Sequence, residues 1–420
     1  MPESCDVAII GAGAAGLMAA IQAARSGRGL RVVLLDSARK PGAKILVAGG
    51  GRCNVTHERV DEAAFAGSTP PAIRKVLRRF DVPLTIEFFR GIGVALKVEP
   101  TGKLFPVSDS ARTVLAALLR AAGDAGVRLR HPCRVETVSR HENGFRIEGP
   151  SSGPGRWEGL VAGCAILATG GRSLPKSGSD GHGYQIARAL GHSITRLVMP
   201  ALVPLTVEPS SFIRSLAGVS APVTLEVRSS AGRKLVSFTG PALCTHFGLS
   251  GPVVLDISRY YLHAIEGDPG ARLVGNWLPG ETLASMDAAL MTLGRAGPLS
   301  ALRDRLPERL ARALCLQAGV DPVESGARIP RERRRLLASS LVEMPLPITG
   351  NRGYDTAEVT AGGVPLSELR LDTMQSRPCP GLSLCGEICD VDGRIGGYNF
   401  QWAWASGYVA GISAGARQDG

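Results

Sequence analysis

Asp6-Val-Ala-Ile-Ile-Gly-Ala-Gly-Ala-Ala-Gly16, followed at residues 31–36 by Arg-Val-Val-Leu-Leu-Asp, decides the fold class. A short β-branched strand runs into a glycine turn, an alanine-rich stretch over residues 17–26 has helical character, and a second apolar strand ends in an acid. That is a β-α-β unit. A bare G-x-G-x-x-G carries little information, but here it follows a strand, opens a helix and has its acid at the end of the next strand. Gly11 permits the tight turn, Gly13 admits a pyrophosphate to the backbone, and Gly16 lets helix pack on strand. Ala14 and Ala15 begin the helix, whose free amides and dipole favour phosphate. Asp36, with Ser37 beside it, offers a carboxylate to ribose hydroxyls.

Working outward, Leu46-Val-Ala-Gly-Gly-Gly-Arg-Cys-Asn-Val-Thr56 places Gly49, Gly50 and Gly51 ahead of Arg52, Cys53 and Asn54, just after Lys44. Three adjacent glycines are entropically costly to order. Because this run is flanked by apolar rather than polar residues, it reads as a loop lying against a ligand, with a flexible linker as the other reading. Strands are predicted over residues 127–130, 134–139 (including Val135), 144–148 and 160–168, the last ending in Ala168, Thr169 and Gly170, a second backbone approach to the same nucleotide. No second G-x-G-x-x-G accompanies it.

From Met199 to about Ser258 the chain alternates in period two with proline and glycine breaks, which predicts a small antiparallel barrel or sheet with strands over 203–207, 223–227, 234–238 and 253–257, in a β-barrel block taken as 196–280. Residues 281–345 read as amphipathic helices. The two blocks form an insertion between a first part, 1–195, and a second part, 346–420, of one α/β domain. That second part has a strand at 382–385, then Gly386 and Glu387, and a helix over 400–412. Between them Asp392, Gly396, Gly397, Tyr398, Asn399 and Gln401 pack glycines, a carboxylate and amides ahead of the helix.

Composition sets outer bounds. At 420 residues, 44% apolar and 20% charged, the chain is a multi-domain globular protein and not a disordered one. Nine scattered cysteines without a C-x-x-C pair argue against both a disulfide framework and a zinc site, and favour a reducing cytoplasm. The apolar run 7–24 follows Glu3 and Asp6 instead of positive charges, so it is neither a targeting signal nor a membrane span. The net charge of +11 permits nucleic-acid binding. It concentrates only over residues 303–335, where a solvated helix face explains it, so no nucleic-acid or membrane partner is expected. A monomer or homodimer is expected.

A first β-α-β unit and a last strand-helix that both carry nucleotide-type turns have the layout of FAD proteins. On GGGRCNVT, GKLFPVSD (102–109), ATGGRSLPKSGSDGHGY (168–184), THFGLSGP (245–252), TGNRGYDTAEVTAGGV (349–364) and GGYN-x-Q-W-A, the chain resembles the YhiN/BaiN-like flavoproteins. That group includes aminoacetone oxidase-like enzymes and is distantly similar to fumarate reductase flavoproteins. The resemblance implies a three-layer Rossmann-like FAD-binding domain interrupted by a β-barrel and a helical subdomain. It places FAD against the residues named above, with the 49–54 loop near the pyrophosphate and ring. Asp36 departs from the more usual glutamate. Cys53 is either a redox partner of the flavin or a small residue in a tight site, and Cys385 and Cys389 are open to the same question.

Substrate-facing candidates are His246, Arg352, Tyr354, Lys176 and Tyr398. His246 is of the type that serves as a general acid or base, or else it caps or packs in a barrel turn. Arg352 suits a carboxylate of the substrate, or else holds Asp355 or a loop carbonyl. Three reactions stay open. The first is an aminoacetone oxidase-like oxidation of a small molecule. The second is an NAD(P)H-dependent reduction of an activated C=C bond, with NAD(P)H binding transiently, as the resemblance to BaiN implies. The third, of another class, is RNA modification.

Overall fold

The computed structural model describes residues 3–27, 29–142, 144–151 and 157–416, so the expected domain ends at 1–2 and 417–420 lie outside the described residues. The chain forms two compact units, Met1–Pro200 with Glu358–Gly420, and Ala201–Ala357.

In the first unit five strands run parallel. Glu3–Ile10 is central, between Leu160–Leu167 and Val32–Leu35; Arg128–Arg130 continues one side and Leu382–Leu384 the other. Val7 to Ile10 and Val32 to Leu35 are uninterrupted apolar runs, every residue buried, as a parallel sheet covered on both faces requires. Gly144–Glu148 and Thr137–His141 add an antiparallel hairpin beside Leu160–Leu167.

The helix Ala14–Ser26 is buried along nine consecutive residues, Ala15 to Ala23, and so has no solvent face over that length. Part of its cover is the helix Tyr398–Ala416. Gly407, Gly411 and Gly415 lie four apart on that helix, and a Cβ on any of them would run into the carbonyl oxygen of Ala15, Ala19 or Ala23 respectively. The two backbones therefore approach closer than side chains normally allow. Alanine and glycine at a matched spacing of four are what permit it.

The second unit holds a seven-stranded sheet in the order Met344–Pro345, Arg272–Asn276, Ser220–Arg228, Lys234–Thr245, Gly248–Ser250, Leu205–Val207, Ile348–Asn351. All pairings in it are antiparallel. Its two edge strands are joined in sequence by Leu346 and Pro347 alone. A flat sheet of this many strands spans about 29 Å at about 4.8 Å per strand, far more than a two-residue link can cross. The sheet therefore curls until its edges meet, although no pairing closes that seam among the described residues. Four helices, Leu283–Met291, Pro298–Leu302, Glu308–Gln317 and Arg331–Val342, follow the strand Arg272–Asn276.

Two expectations change here. Residues 253–257 were expected as a strand; they form the start of the helix Pro252–Gly267. A short apolar run does not distinguish the two by itself, and Pro252 at the first turn after Gly251 settles it as helix. The strand Ile348–Asn351 pairs with Leu205–Val207, so residues 346–357 belong with the second unit and the chain re-enters the first at Glu358 rather than at 346. Arg352 and Tyr354 move with them.

Candidate functional site

The three glycines of the first turn have different reasons to be glycine. Gly11 sits at φ 104°, and a Cβ there would strike the Ala168 carbonyl; a Cβ on Gly16 would strike the Gly11 carbonyl. Gly13 has ordinary extended dihedrals, φ −78° and ψ −169°, and a Cβ there would meet nothing within 4 Å. The protein's own packing thus dictates two of the glycines and leaves open space at the third. No side chain caps the helix behind it. An open approach to uncapped amides at a helix N-terminus fits a pyrophosphate.

Asp36 braces this turn. One carboxylate oxygen accepts the Ala12 amide at 2.6 Å and the other the Ala38 amide at 2.8 Å. Each oxygen keeps a further lone pair for a ribose hydroxyl. Burial pushes its carboxyl above the usual carboxylate range, against the pull of the two amides. Ser37 is half-buried, its hydroxyl close to Gly178, and Val135 is buried in the segment that follows Cys133, whose amide donates to the Asp36 carbonyl at 2.6 Å.

The remaining glycine segments converge on the same turn. Gly386, at φ 78°, faces Ala15 so closely that a Cβ would lie 2.7 Å from the Ala15 methyl. Lys44 and Glu387, one before the triple glycine and one in the late strand-helix segment, form a half-buried ion pair at 2.7 Å. The other Glu387 oxygen accepts the Thr360 amide at 3.1 Å. Thr360 is a junction that sequence reasoning passed over: its hydroxyl accepts from the amides of Arg172 at 2.7 Å and Ser173 at 3.0 Å, just beyond Gly170. Its only sequence signal was its place in the TAGG run.

The 49–54 loop ends the helix Ala43–Gly51 with left-handed dihedrals at Gly49 (φ 57°) and Gly50 (φ 69°), and at Gly51 (φ 84°) and Cys53 (φ 62°). All three glycines are exposed, and Gly50 faces open space. Buried Asn54 leaves its Oδ1 without a partner among the described residues, as do the hydroxyls of Thr169 and Ser179 beside Gly170. Buried polar atoms are ordinarily hydrogen-bonded, and these three, which lie in or beside the glycine segments, are available to a polar ligand. Together with the space at Gly13, they fit a dinucleotide such as FAD.

Not every expected contact has a free group to offer. Arg52 is engaged within the protein, with Glu99 at 2.6 Å and its guanidinium 3.9 Å from the Phe105 ring centre. Gln401 is buried, accepts from Thr56 and Thr85 and donates to the Phe80 carbonyl at 2.8 Å. Asn399 folds back on the Gly393 backbone. These two hold the helix Tyr398–Ala416 to its surroundings. Tyr398 stacks on His57 at 5.1 Å, Gly397 is pressed against the Thr56 backbone, Gly396 is buried at φ 130°, and Asp392 is buried. Cys53 is fully buried and its thiol is pushed up to about 12 by that burial; Cys385 rises equally and Cys389 well above its ordinary value. Protonated, enclosed thiols are poor nucleophiles, and burial of all three favours the inert reading.

Of the substrate-facing candidates, Lys176 is exposed in the first unit, on the short turn Pro175–Ser177. In the second unit His246 and Arg352 meet across one ring. His246 lies edge-on to Phe247 at 5.0 Å, and the Arg352 guanidinium is 4.5 Å from the Phe247 centroid. Arg352 holds neither Asp355 nor a loop carbonyl by its side chain among the described residues. Tyr354 is half-buried two residues on. Phe247 was not singled out from sequence.

No helix among the described residues is long and apolar enough to cross a membrane. The HI0933-like protein Rossmann domain matches residues 5–413. A ribosomal RNA dihydrouridine synthase of Escherichia coli (strain K12) is 35% identical over 97% of this chain and 97% of its own length. A 3-dehydro-bile acid delta(4,6)-reductase of Clostridium scindens is 34% identical over 98% of this chain and 99% of its own. Among solved structures, Escherichia coli quinol fumarate reductase FrdA aligns over 100% of this chain and 71% of its own at TM-score 0.53 and 16% identity, a likeness of fold.

Proposed function

This chain belongs to the HI0933-like Rossmann-domain family and is an FAD-dependent oxidoreductase, and we propose that it reduces a carbon–carbon double bond conjugated to a carbonyl, the substrate being a uracil base in RNA. One observation carries the reading: two full-length relatives with dissimilar substrates have names that share one reaction. Dihydrouridine is uridine with its ring double bond hydrogenated, and a delta(4,6)-reductase hydrogenates double bonds of a steroid ketone. Of the reactions open from sequence, oxidation of a small amine or alcohol has no such counterpart among them. In place of the sequence expectation of a merely solvated helix face and no nucleic-acid partner, RNA is favoured over a small ketone by the RNA-modifying relative together with the net charge of +11 and the exposed Arg331, Arg333 and Arg335 on the helix Arg331–Val342. Charges of that kind serve phosphate contacts.

When bound and reduced by a nicotinamide cofactor, FAD would supply the hydride. The first unit's residues would hold it: the turn at Gly13 the pyrophosphate, Asp36 the ribose, and the polar atoms of Asn54, Thr169 and Ser179 the remaining acceptors and donors. Adding hydride to the far carbon of the double bond moves its π pair onto the carbonyl oxygen, and the near carbon then takes a proton. That chemistry needs a cation or hydrogen-bond donor at the oxygen and an acid for the carbon. Arg352 and His246 are side chains of those two kinds.

The test is anaerobic incubation of the FAD-loaded protein and NADPH with ribosomal RNA from a strain lacking this gene, with nucleoside mass spectrometry as readout. Dihydrouridine is the expected product. Reduction of a conjugated steroid ketone instead would assign the small-molecule substrate. Neither product, with peroxide release from an amine in air, would overturn the reading in favour of an oxidase.

A further inference from the structure

We propose that Phe247 and Arg352 form a stacking platform for a flat, conjugated carbonyl ring of the pyrimidine type. For the nature of the ligand this rests on the reading above; for its geometry it rests on the second unit alone. The strand Leu205–Val207 lies between Gly248–Ser250 and Ile348–Asn351, with Thr206 opposite both Gly248 and Gly350. Phe247 and Arg352 therefore flank the two sides of one strand. Each is pinned by its backbone: the Phe247 carbonyl accepts the Val207 amide at 3.1 Å, and the Arg352 amide donates to the Pro204 carbonyl at 3.1 Å.

The turn that presents Phe247 is rigid. The Thr245 hydroxyl donates to the Gly248 carbonyl at 3.0 Å and accepts the Gly248 amide at 3.1 Å, and Arg214 Nε donates to the His246 carbonyl at 2.6 Å. Gly248 itself, at φ 150°, is pressed against Leu205 so tightly that no side chain fits. Between them these bonds fix the ring that His246 meets edge-on.

Arg352 is the feature that needs a use. It is exposed, its guanidinium lies over the Phe247 face, and no carboxylate of the described residues engages it. An arginine with only structural duties ordinarily points its fork of donors at a carboxylate or carbonyl. Here the exposed cation sits over the ring, and no acceptor of the described residues takes its side-chain N–H groups. Guanidinium planes and aromatic rings are the surfaces on which splayed-out bases stack, and the open N–H groups suit a ring carbonyl oxygen. Phe247 is then a positioning residue that acts through Arg352.

The experiment is equilibrium binding of uridine 5′-monophosphate and its 5,6-dihydro form to the full-length FAD-loaded protein. The two carry the same carbonyls, but only the first is flat. The wild type should bind the flat ring more tightly. Phe247→Ala should weaken that binding roughly tenfold and leave the puckered ring within about twofold, Phe247→Tyr should restore it, and Arg352→Lys, which keeps charge without the plane, should resemble Phe247→Ala. If Phe247→Ala misfolds, Phe247→Leu keeps the apolar bulk without the ring. No uridine binding, no preference for the flat ring, or unchanged affinity in folded Phe247→Leu and Arg352→Lys would overturn the platform. Loss of binding in these variants alongside a failure to reduce RNA would overturn the proposed reaction and leave the platform standing.

Discussion

Substituting Gly13 and Gly16 separately should divide cofactor binding from folding. At Gly13 the backbone is extended, φ −78° and ψ −169°, which any residue adopts, and an added Cβ meets nothing within 4 Å. Gly13→Ala therefore introduces no clash in the protein and restricts the unfolded chain, an effect worth about 0.4–1 kcal/mol of stability in the cofactor-free form. The same methyl occupies the space assigned to the pyrophosphate, and Gly13→Val fills more of it. At Gly16 a Cβ falls on the Gly11 carbonyl, where only backbone movement relieves it; overpacking of that kind costs roughly 1–3 kcal/mol or more. The assay is urea denaturation of flavin-stripped protein, followed by FAD titration monitored by quenching of flavin fluorescence. Gly13→Val should denature within about 1 kcal/mol of the wild type, the loss of a good N-cap residue offsetting the restricted unfolded chain, and bind no FAD at concentrations that saturate the wild type. Gly16→Ala should denature earlier whether or not FAD is present. A Gly13→Val protein that binds FAD normally would refute the placement of the phosphate.

Two further outcomes follow from burial. Gly411→Val forces a side chain onto the Ala19 carbonyl and should cost about 3 kcal/mol or more, whereas Gly123→Ala, helical and facing open space, should stabilise by about 0.5–1 kcal/mol; chemical denaturation of both variants checks the contrast. Cys53 is the pH case: its folded thiol is raised to about 12, above its unfolded value, so the stability it contributes is present throughout neutral pH and lost only as pH rises through that value. Native protein at pH 8 should leave Cys53 unalkylated by iodoacetamide in peptide mass mapping, and Cys53→Ala should keep FAD and its turnover; labelling of Cys53 in the folded state would count against the inert role.

The sequence was legible wherever a local rule demanded particular residues. The β-α-β turn announces itself because Gly16 answers to Gly11 five residues before it and Asp36 braces Ala12 in the same turn, although the contact that makes Gly11 a glycine, the Ala168 carbonyl, lies far along the chain. What stayed hidden depends on partners far away in the chain. Nothing near Lys44 points to Glu387, and nothing near Ser173 points to Thr360. The stripe of Gly407, Gly411 and Gly415 was visible as composition, but its meaning lies in alanines of the first helix. Residues 253–257 were misassigned because four apolar residues among five satisfy a strand and a buried helix alike. Arg352 and Phe247 come together only after two strands have paired on either side of a third.

The seating of Gly407, Gly411 and Gly415 against Ala15, Ala19 and Ala23 has a consequence for the order of events as the chain is made. The phosphate-binding turn is synthesised well before residues 398–416, and the face of the helix Ala14–Ser26 that they cover stays open until they have left the ribosome. In that interval a nascent chain carries an incompletely covered apolar helix and an incomplete cofactor cradle. The first unit closes only when these two distant segments meet, and a chain stopped short of residue 398 should be unable to retain flavin, however well its glycine motif is preserved.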